Sequence, residues 1–466
     1  MPRSDLAIPA RMSRVAIVAP RARLREALVE LADAGVVELV GPMPPPQGEE
    51  VEALRRVERL SLRAGPARPC LAPEPPDVAE LERRSERELL AGEVELARRA
   101  DAAVRHGSFA GYVGWVPESE LDTLAARLAP AGAALVELPK PVWADPPTLL
   151  RSVRLARPFR PLVETYGAAR YEDIDPTPFA AVAFVLMFGM MFGDAGQGLV
   201  LAILGLALRR AHGRFTAFQS AWPLVVACGI SGTFFGLLYG QFFGPTGVVP
   251  TLWFDPLDDP LRLLGAALVV GAVLLAVSYA IGSVNRWRER GPAAALVAPS
   301  GLAGSAVFLG GALTLAGVAK NLEWLAVAGA ALIAVGVVLL GIGFFVEAGR
   351  GVAAAAQATV EVVDAVVRVA ANAVSFARLA AFGLMHGALT AVVYDGAAAL
   401  WSGALVLLAA ALFVVGNAAT FALEALVAGV QALRLEYYEL FSRIFAGEGR
   451  PFSPWSIPLV TREEES

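Results

Sequence analysis

The sequence is poor in cysteine, histidine and lysine. Its 466 residues include two cysteines, three histidines and two lysines, Lys140 and Lys320. Two cysteines cannot form a disulfide framework or a metal cluster. A phosphate-binding loop of the GxxxxGK[ST] type requires a Gly-Lys pair, and here the lysines follow proline and alanine. We therefore expect no nucleotide hydrolysis by this chain, and the sequence predicts no cofactor or metal site.

Charge is also scarce, and it is unevenly distributed. Charged residues make up 18% of the chain and hydrophobic residues 56%, against about a quarter and about half in soluble domains. Residues 1–176 carry 24 basic and 27 acidic side chains, whereas residues 177–466 carry 15 and 17. The net charge of −5 offers no basic face for nucleic acid. These numbers exclude a soluble monomer and favour a membrane-embedded second part.

The first 140 residues predict a small α+β domain. RVAIVA at 14–19 and VVELV at 36–40 read as strands, with an amphipathic helix at 21–34 between them. GYVGWVP and ALVEL, with a helix near 117–129 between them, repeat that order. Because the N-terminus lacks the apolar run of a secretory signal, we expect this domain to be cytoplasmic.

A helical hairpin interrupts this predicted domain. Two charged stretches at about 49–64 and 78–105 have helical periodicity, and a proline-rich breaker separates them. Residues 141–176 are basic and contain prolines, which indicates a linker to the membrane. We expect a transmembrane domain over residues 177–446 and a cytoplasmic tail over residues 447–466.

From residue 177 the apolar runs approach the length of about 20 residues that spans a bilayer. We predict a multi-pass α-helical membrane protein with eight helices, at about 178–193, 196–211, 218–240, 262–285, 294–318, 322–346, 360–393 and 402–445. At about 1.5 Å per residue, the last two would be roughly 50 and 65 Å long. A hydrocarbon core of about 30 Å then requires strong tilt or projection from the bilayer.

Loop charges orient this predicted topology. Arginines cluster in the even-numbered loops, at Arg209, Arg210, Arg214, Arg286, Arg288, Arg290 and Arg350. The third loop instead carries Asp255, Asp258 and Asp259, with Arg262 at its end. Because cytoplasmic loops are enriched in basic residues, both termini are expected in the cytoplasm.

Ionisable residues at membrane depth are functional candidates, since each costs about 2.5–3.5 kcal/mol to insert. They concentrate in the last two predicted helices. At about 100° per residue, one broad stripe on the first of these helices contains Asp364, Arg378 and His386. A stripe on the second contains Glu424, Gln431 and Arg434. Two facing polar stripes are what an ion path requires.

Each candidate has a structural alternative. Asp364 and Arg368, four residues apart, could form an ordinary ion pair. Arg434 could extend its charge toward the cytoplasm, and His386 could be a packing residue. Arg378 is the hardest to explain in this way, because it lies near the middle of a helix among small and apolar residues.

Four stretches, in order, resemble the membrane stator subunit of V/A-type rotary ATPases, which is called subunit a, or subunit I in prokaryotes. They are IDPTPFAAVAFVLMFGMMFGDAGQGL (174–199), GTFFGLLYGQFFG (232–244), SFARLAAFGLMHGAL (375–389) and QALRLEYYELFSRIFAGEGRPFSPW (431–455). The segment that begins at Met12 also resembles the start of the family, which makes Met12 an alternative to Met1 as the start of translation.

The resemblance implies that Arg378 is the essential channel arginine and Arg434 the second arginine. His386 and Glu424 match polar positions of the external half-channel. Asp364 matches a carboxylate position near the cytoplasmic half-channel, although glutamate is common there. Asp194 in FGDAG matches an acidic residue near the external side.

The function implied by the resemblance is ion translocation, of protons or sodium, coupled to ATP synthesis or hydrolysis in other subunits. The implied partners are a proteolipid ring whose carboxylates face Arg378, and peripheral stalks bound through the N-terminal domain. That domain is shorter than the family norm. The implied location is the plasma membrane of a bacterium or archaeon, with no catalytic site in this chain.

Two other functions stay open on the sequence alone. A stand-alone secondary transporter would use Arg378 to bind an anionic solute, and it would be expected to contain inverted repeats and broken helices. A non-conducting membrane anchor would tolerate alanine at Arg378, His386 and Glu424 together.

Overall fold

The structure, a computed structural model, describes residues 9–60, 67–141, 145–150, 156–211, 219–349, 352–402, 405–445 and 447–460. The chain divides into two compact units. We call Pro9–Leu150 together with the described part of Arg450–Ser466 the sheet unit. The described part of Arg151–Gly449 is the helical unit. The predicted loop residues Arg214 and Arg350 lie outside the described residues.

The sheet unit is built on an antiparallel sheet of five strands: β1 (Met12–Pro20), β2 (Glu38–Val40), β3 (Val104–His106), β4 (Phe109–Pro117) and β5 (Ala134–Leu138). The strand order is β2-β4-β1-β5, and β3 also pairs with β4. Helices α1 (Leu24–Ala34) and α5 (Leu121–Leu128) connect β1 to β2 and β4 to β5. Each connection skips one strand, as in split βαβ folds. The predicted strands and the helices between them are confirmed.

The predicted hairpin differs in its second arm. The first arm is α2 (Glu49–Leu60), but α3 (Val78–Arg84) and α4 (Arg87–Ala102) replace the single helix expected over 78–105. Ser85 adopts a left-handed conformation with φ of 57°, and its backbone N–H bonds back to α3, which ends that helix. Residues 104–106 belong to β3 instead.

The C-terminal tail contributes to the core of the sheet unit. Trp455 and Ile457 are buried among its strands and helices. The Trp455 backbone N–H donates to the Val37 carbonyl at 2.9 Å, and that of Ile457 donates to the Ala32 carbonyl at 3.1 Å. The sequence predicts a separate tail over residues 447–466 and contains no local signal for this packing.

The helical unit contains the remaining helices. They are α6 (Arg160–Tyr166), α7 (Thr177–Phe192), α8 (Ala195–Leu208), α9 (Trp222–Tyr239), α10 (Pro260–Arg290), α11 (Pro292–Val297), α12 (Leu302–Ala319), α13 (Glu323–Ala348), α14 (Val352–Ser375), α15 (Ala377–Ser402), α16 (Val406–Leu435) and α17 (Ser442–Ile444).

Six helical segments of the described residues are long and apolar enough to cross a membrane. They are Gln219–Tyr239, Pro260–Arg290, Pro292–Ala319, Glu323–Ala348, Ala355–Trp401 and Val406–Ile444. The apolar helices α7 and α8 have only 16 and 14 residues. Helix length therefore supports six spans and does not establish the predicted eight.

The last two long helices are irregular beside their arginines. The expected continuous helix over 360–393 is interrupted at Phe376, two residues before Arg378. The Phe376 ring is fully buried and packs against Gly271 of α10, where only a residue without a side chain leaves room for it. In the other helix, a π-helical segment (Glu436–Phe441) begins two residues after Arg434. Such segments are frequent at functional sites.

Helix α7 forms the centre of the helical unit. Most of its side chains are buried, and it packs against α9, α15 and α16. This extensive burial is consistent with a helix that is apolar on every face, although Val182 is exposed. Phe192 at its C-terminal end contacts both His386 of α15 and Phe421 of α16, with ring centroids 5.5 and 5.9 Å apart. Helix α7 thereby fixes the positions of the two helices that carry the candidate site.

Candidate functional site

Arg378 lies in the first turn of α15, immediately after the interruption at Phe376. The residue is half-buried, and its Nη1 atom is buried without a hydrogen-bond partner among the described residues. The side chain lines an open groove of about 850 Å³. Apart from Ser375 and Arg378, the lining consists of alanine and valine residues of α14 and α15. The groove thus presents a cation with unused hydrogen-bonding capacity on a surface of small side chains.

A buried carboxyl group of the neighbouring helix lies near this cation. Glu439, in the π-helical segment, is buried, and it lies within electrostatic range of the guanidinium groups of Arg378, Arg434 and Arg443. The Ser375 hydroxyl contacts the same carboxyl. Both predicted arginines, together with Arg443, are thus within electrostatic range of Glu439, a residue that the sequence patterns did not predict as part of the site.

His386 and Glu424 form a buried pair between α15 and α16. The His386 Nδ1 atom contacts a carboxylate oxygen of Glu424, and the two side chains are only 3% and 9% exposed. A cavity of about 20 Å³ adjoins them, lined otherwise by apolar residues of α7, α15 and α16. A cavity of this size can hold about one water molecule. The two predicted residues are thus in contact and can exchange a proton directly or through one water.

Asp194 has a different environment. It is fully buried and is the N-cap residue of α8, accepting the backbone N–H of Gln197 at 2.8 Å. The same carboxylate accepts the backbone N–H groups of Phe243 at 3.0 Å and Gly244 at 2.9 Å. Three backbone donors fix the carboxylate, which connects the α7–α8 turn to the loop after α9. The structure assigns Asp194 a role in holding this loop.

Buried polar side chains extend from Asp194 toward α16 and α15. The Gln197 amide donates to Asn417 Oδ1 of α16 at 3.2 Å, and both residues are buried. Thr390 of α15 is fully buried, and its hydroxyl donates to the His386 carbonyl at 2.9 Å. The buried Gln241 amide has no hydrogen-bond partner among the described residues. Single polar residues in apolar runs gave the sequence analysis no periodic signal for this group.

Gly244 brings the loop close to α15. Its φ of +92° is unfavourable for other residues, and a Cβ atom there would approach the Thr390 carbonyl to 3.0 Å. The sequence motif containing this glycine therefore serves close backbone packing next to the buried polar residues.

Asp364 and Gln431 lie apart from these contacts. Asp364 forms an exposed ion pair with Arg368, one helical turn away, and the structure shows no contact between it and Arg378. Gln431 is half-buried, and its Oε1 atom has no hydrogen-bond partner among the described residues. Arg434 is exposed. Across the described residues, no group of three or more His, Cys, Asp and Glu side chains could hold a metal ion.

A profile of the V-type ATPase 116kDa subunit family matches residues 103–253. This match includes Asp194 but ends before Arg378, His386, Glu424 and Arg434. Longer similarity comes from archaeal relatives. A-type ATP synthase subunit I of Thermococcus kodakarensis is 28% identical over 365 residues, which covers 73% of this chain and 53% of the relative.

Two further relatives have the same name. A-type ATP synthase subunit I of Pyrococcus horikoshii is 27% identical over 399 residues, covering 81% of this chain and 58% of the relative. That of Aeropyrum pernix is 29% identical over 382 residues, covering 70% and 52%. The chain thus spans about half the length of the curated relatives it matches. These similarities confirm the resemblance that the four sequence motifs indicate.

Proposed function

We propose that this chain, a relative of subunit I of the A-type ATP synthases, is the membrane stator of a rotary ATPase. It provides two ion half-channels separated by Arg378, beside a ring of proteolipid subunits. Catalysis of ATP synthesis or hydrolysis belongs to other subunits. The observation that carries the proposal is the half-buried guanidinium of Arg378, with an unpartnered nitrogen, in a groove lined by small residues.

The groove suits a helix that approaches closely and carries a carboxylate. Small residues permit close contact between membrane helices. A guanidinium within about 4–6 Å of a carboxylate lowers the pKa of that carboxylate by about 1–3 units. Arg378 therefore favours release of the ion from each passing rotor carboxylate, and its permanent charge hinders direct leakage between the half-channels.

Glu439 is the counter-ion of Arg378 when no rotor carboxylate is near. Its location within electrostatic range of Arg378 and Arg434 supports this role. A rotor carboxylate competes with Glu439 for the guanidinium, so Arg378 is never left as a buried charge without compensation. Asp364, Gln431 and Arg434 remain proposed members of the path.

The His386–Glu424 pair provides the external half-channel. Its burial and the adjoining cavity for one water support proton transfer between the cluster near Asp194 and the rotor. In this topology α7 and α8 also cross the membrane, giving eight spans with both termini in the cytoplasm. The contrast between Arg209, Arg210 and the basic end of α10 on one side and Asp255, Asp258 and Asp259 on the other supports that orientation.

The sheet unit is the cytoplasmic domain through which the stator binds peripheral stalks. Its charged hairpin offers a polar surface for such a contact, as the exposed ion pair between Arg56 and Glu82 illustrates. The membrane is that of a bacterium or archaeon.

The test is Arg378→Ala in the assembled complex reconstituted into vesicles. We expect ATP-driven ion transport to fall to background while the chain still copurifies with the proteolipid ring. The matched control is Arg262→Ala, which removes an exposed arginine at the start of α10 that is paired with Asp259. Transport that survives Arg378→Ala, or that is lost equally in the control, would refute the proposal.

A further inference from the structure

Three segments of the helical unit meet at one buried side chain, away from the candidate site. Asn285 near the end of α10 accepts the Ile174 backbone N–H at 3.0 Å and donates to the Ile444 carbonyl at 3.0 Å. The Gly449 backbone N–H also donates to the Ala168 carbonyl at 2.9 Å. The segment before α7, the end of α10 and the segment after α17 are therefore fastened together. We call this meeting point the junction.

The junction contains two buried carboxyl groups. Asp173 is fully buried, and one of its oxygens accepts the Arg170 backbone N–H at 3.1 Å. Its carboxyl group also contacts that of Glu289, whose side chain is 4% exposed. Arg286 Nη1 lies 2.7 Å from Glu289, and Arg170 Nη1 lies 3.8 Å from it. Arg170 forms a further ion pair with Glu448 of the third segment.

Two carboxyl groups in contact cannot both be ionised at low cost, so one of them retains a proton. A retained proton lets one carboxyl donate a hydrogen bond to the other, which accounts for two buried side-chain oxygens, Asp173 Oδ1 and Glu289 Oε1, that otherwise have no donor. The two charges of Arg286 and Arg170 are balanced by Glu448 and by one ionised carboxylate of the pair. The hydrogen bonds and charges of the junction are therefore satisfied only when the two carboxyl groups share one proton.

We propose that Asp173 and Glu289 form a proton-binding site that takes one shared proton and, on losing it, loosens the junction. The segment before α7 is then released from the end of α10, since the two carboxylates repel each other. This site is independent of the path at Arg378, and neither carboxyl group is assigned to ion translocation.

Burial, followed by the contact with Glu289, raises the pKa of Asp173 to about 7. The folded-state pKa is therefore higher than the unfolded one. The stability contributed by the proton is fully present below the unfolded pKa, near 4, and is lost as the pH rises through about 7. The junction should accordingly weaken between about pH 6 and pH 8.

The experiment is an infrared titration of the full chain in lipid nanodiscs, following the C=O band of protonated carboxyl groups. The wild-type chain should lose one carboxyl band between pH 6 and 8, and its thermal midpoint should fall as the pH rises from about 4 to about 7 and level off above that. Asp173→Asn and Glu289→Gln should lack this band. Glu172→Gln, which changes the exposed neighbouring carboxyl group, should retain it.

A wild-type chain in which no carboxyl group titrates between pH 6 and 8 would overturn the proposal, whatever the variants do. The same conclusion holds if Asp173→Asn folds and retains the band. If both junction variants fail to fold, wild-type loss of the band, together with its retention in Glu172→Gln, supports the site.

Discussion

Two buried carboxylates of the helical unit, Asp194 and Glu424, have opposite hydrogen-bonding environments. Three backbone N–H groups satisfy Asp194, and none of these donors can give up its proton. Glu424 contacts the titratable ring of His386 and adjoins a cavity for one water. Burial alone therefore does not identify a proton carrier. Their partners differ: three fixed backbone amides hold Asp194 in place, whereas we propose that Glu424, whose partner is a histidine, exchanges protons.

Asp194→Ala should produce the largest loss of stability. It leaves three backbone N–H groups without their acceptor, and each unsatisfied buried donor costs about 1–3 kcal/mol. We expect a loss of about 3 kcal/mol or more, measured as a lower thermal midpoint and lower yield of the full chain. Asp395→Ala, at an exposed position of α15, is the control. Equal midpoints for the two variants would contradict the anchoring role.

Glu424→Gln should instead reduce transport with little effect on stability. The amide keeps the size of the side chain but cannot carry a proton to or from His386, and loss of a positioned proton-transfer group typically costs about 100-fold or more. The measurement is ATP-driven proton uptake by the reconstituted complex, beside the thermal midpoint. Glu323→Gln, at an exposed position of α13, should transport normally. Unimpaired proton uptake by Glu424→Gln would contradict the proposal that Glu424, unlike Asp194, carries protons.

Asn417→Leu tests whether the buried polar residues next to Asp194 belong to the ion path, and it should have the smallest effect. It removes the acceptor of the buried Gln197 amide, which costs about 1–3 kcal/mol. We expect a modest fall in thermal midpoint and transport within about twofold of the wild-type chain. A loss of transport as large as that of Glu424→Gln would instead place Asn417 in the ion path.

Local sequence patterns sufficed to predict part of this structure. The short apolar, β-branched run in RVAIVA predicted β1, and an arginine among small residues at membrane depth predicted a functional role for Arg378. Asp194 also carried a local signal, since an aspartate directly before an apolar helix is a typical N-cap.

Other features depend on contacts between distant segments. The helical stripe assumed 100° per residue throughout, but the interruption at Phe376 results from packing against Gly271 of α10. The π-helical turn at Glu436–Phe441 changes the direction of the side chains that follow Arg434, which is why Glu439 was missed. Neither irregular segment contains a proline, the residue from which a helix interruption could have been predicted.

The tail that contributes Trp455 and Ile457 to the sheet unit has a consequence for biosynthesis. About 300 residues separate Leu150 from Arg450, and at about 5–20 residues per second the ribosome needs roughly 15–60 seconds to make them. During that interval the nascent sheet unit lacks the hydrophobic contacts of Trp455 and Ile457. A chain truncated anywhere within its membrane helices never acquires them, so quality control by proteases can recognise an unfinished product by its exposed apolar surface.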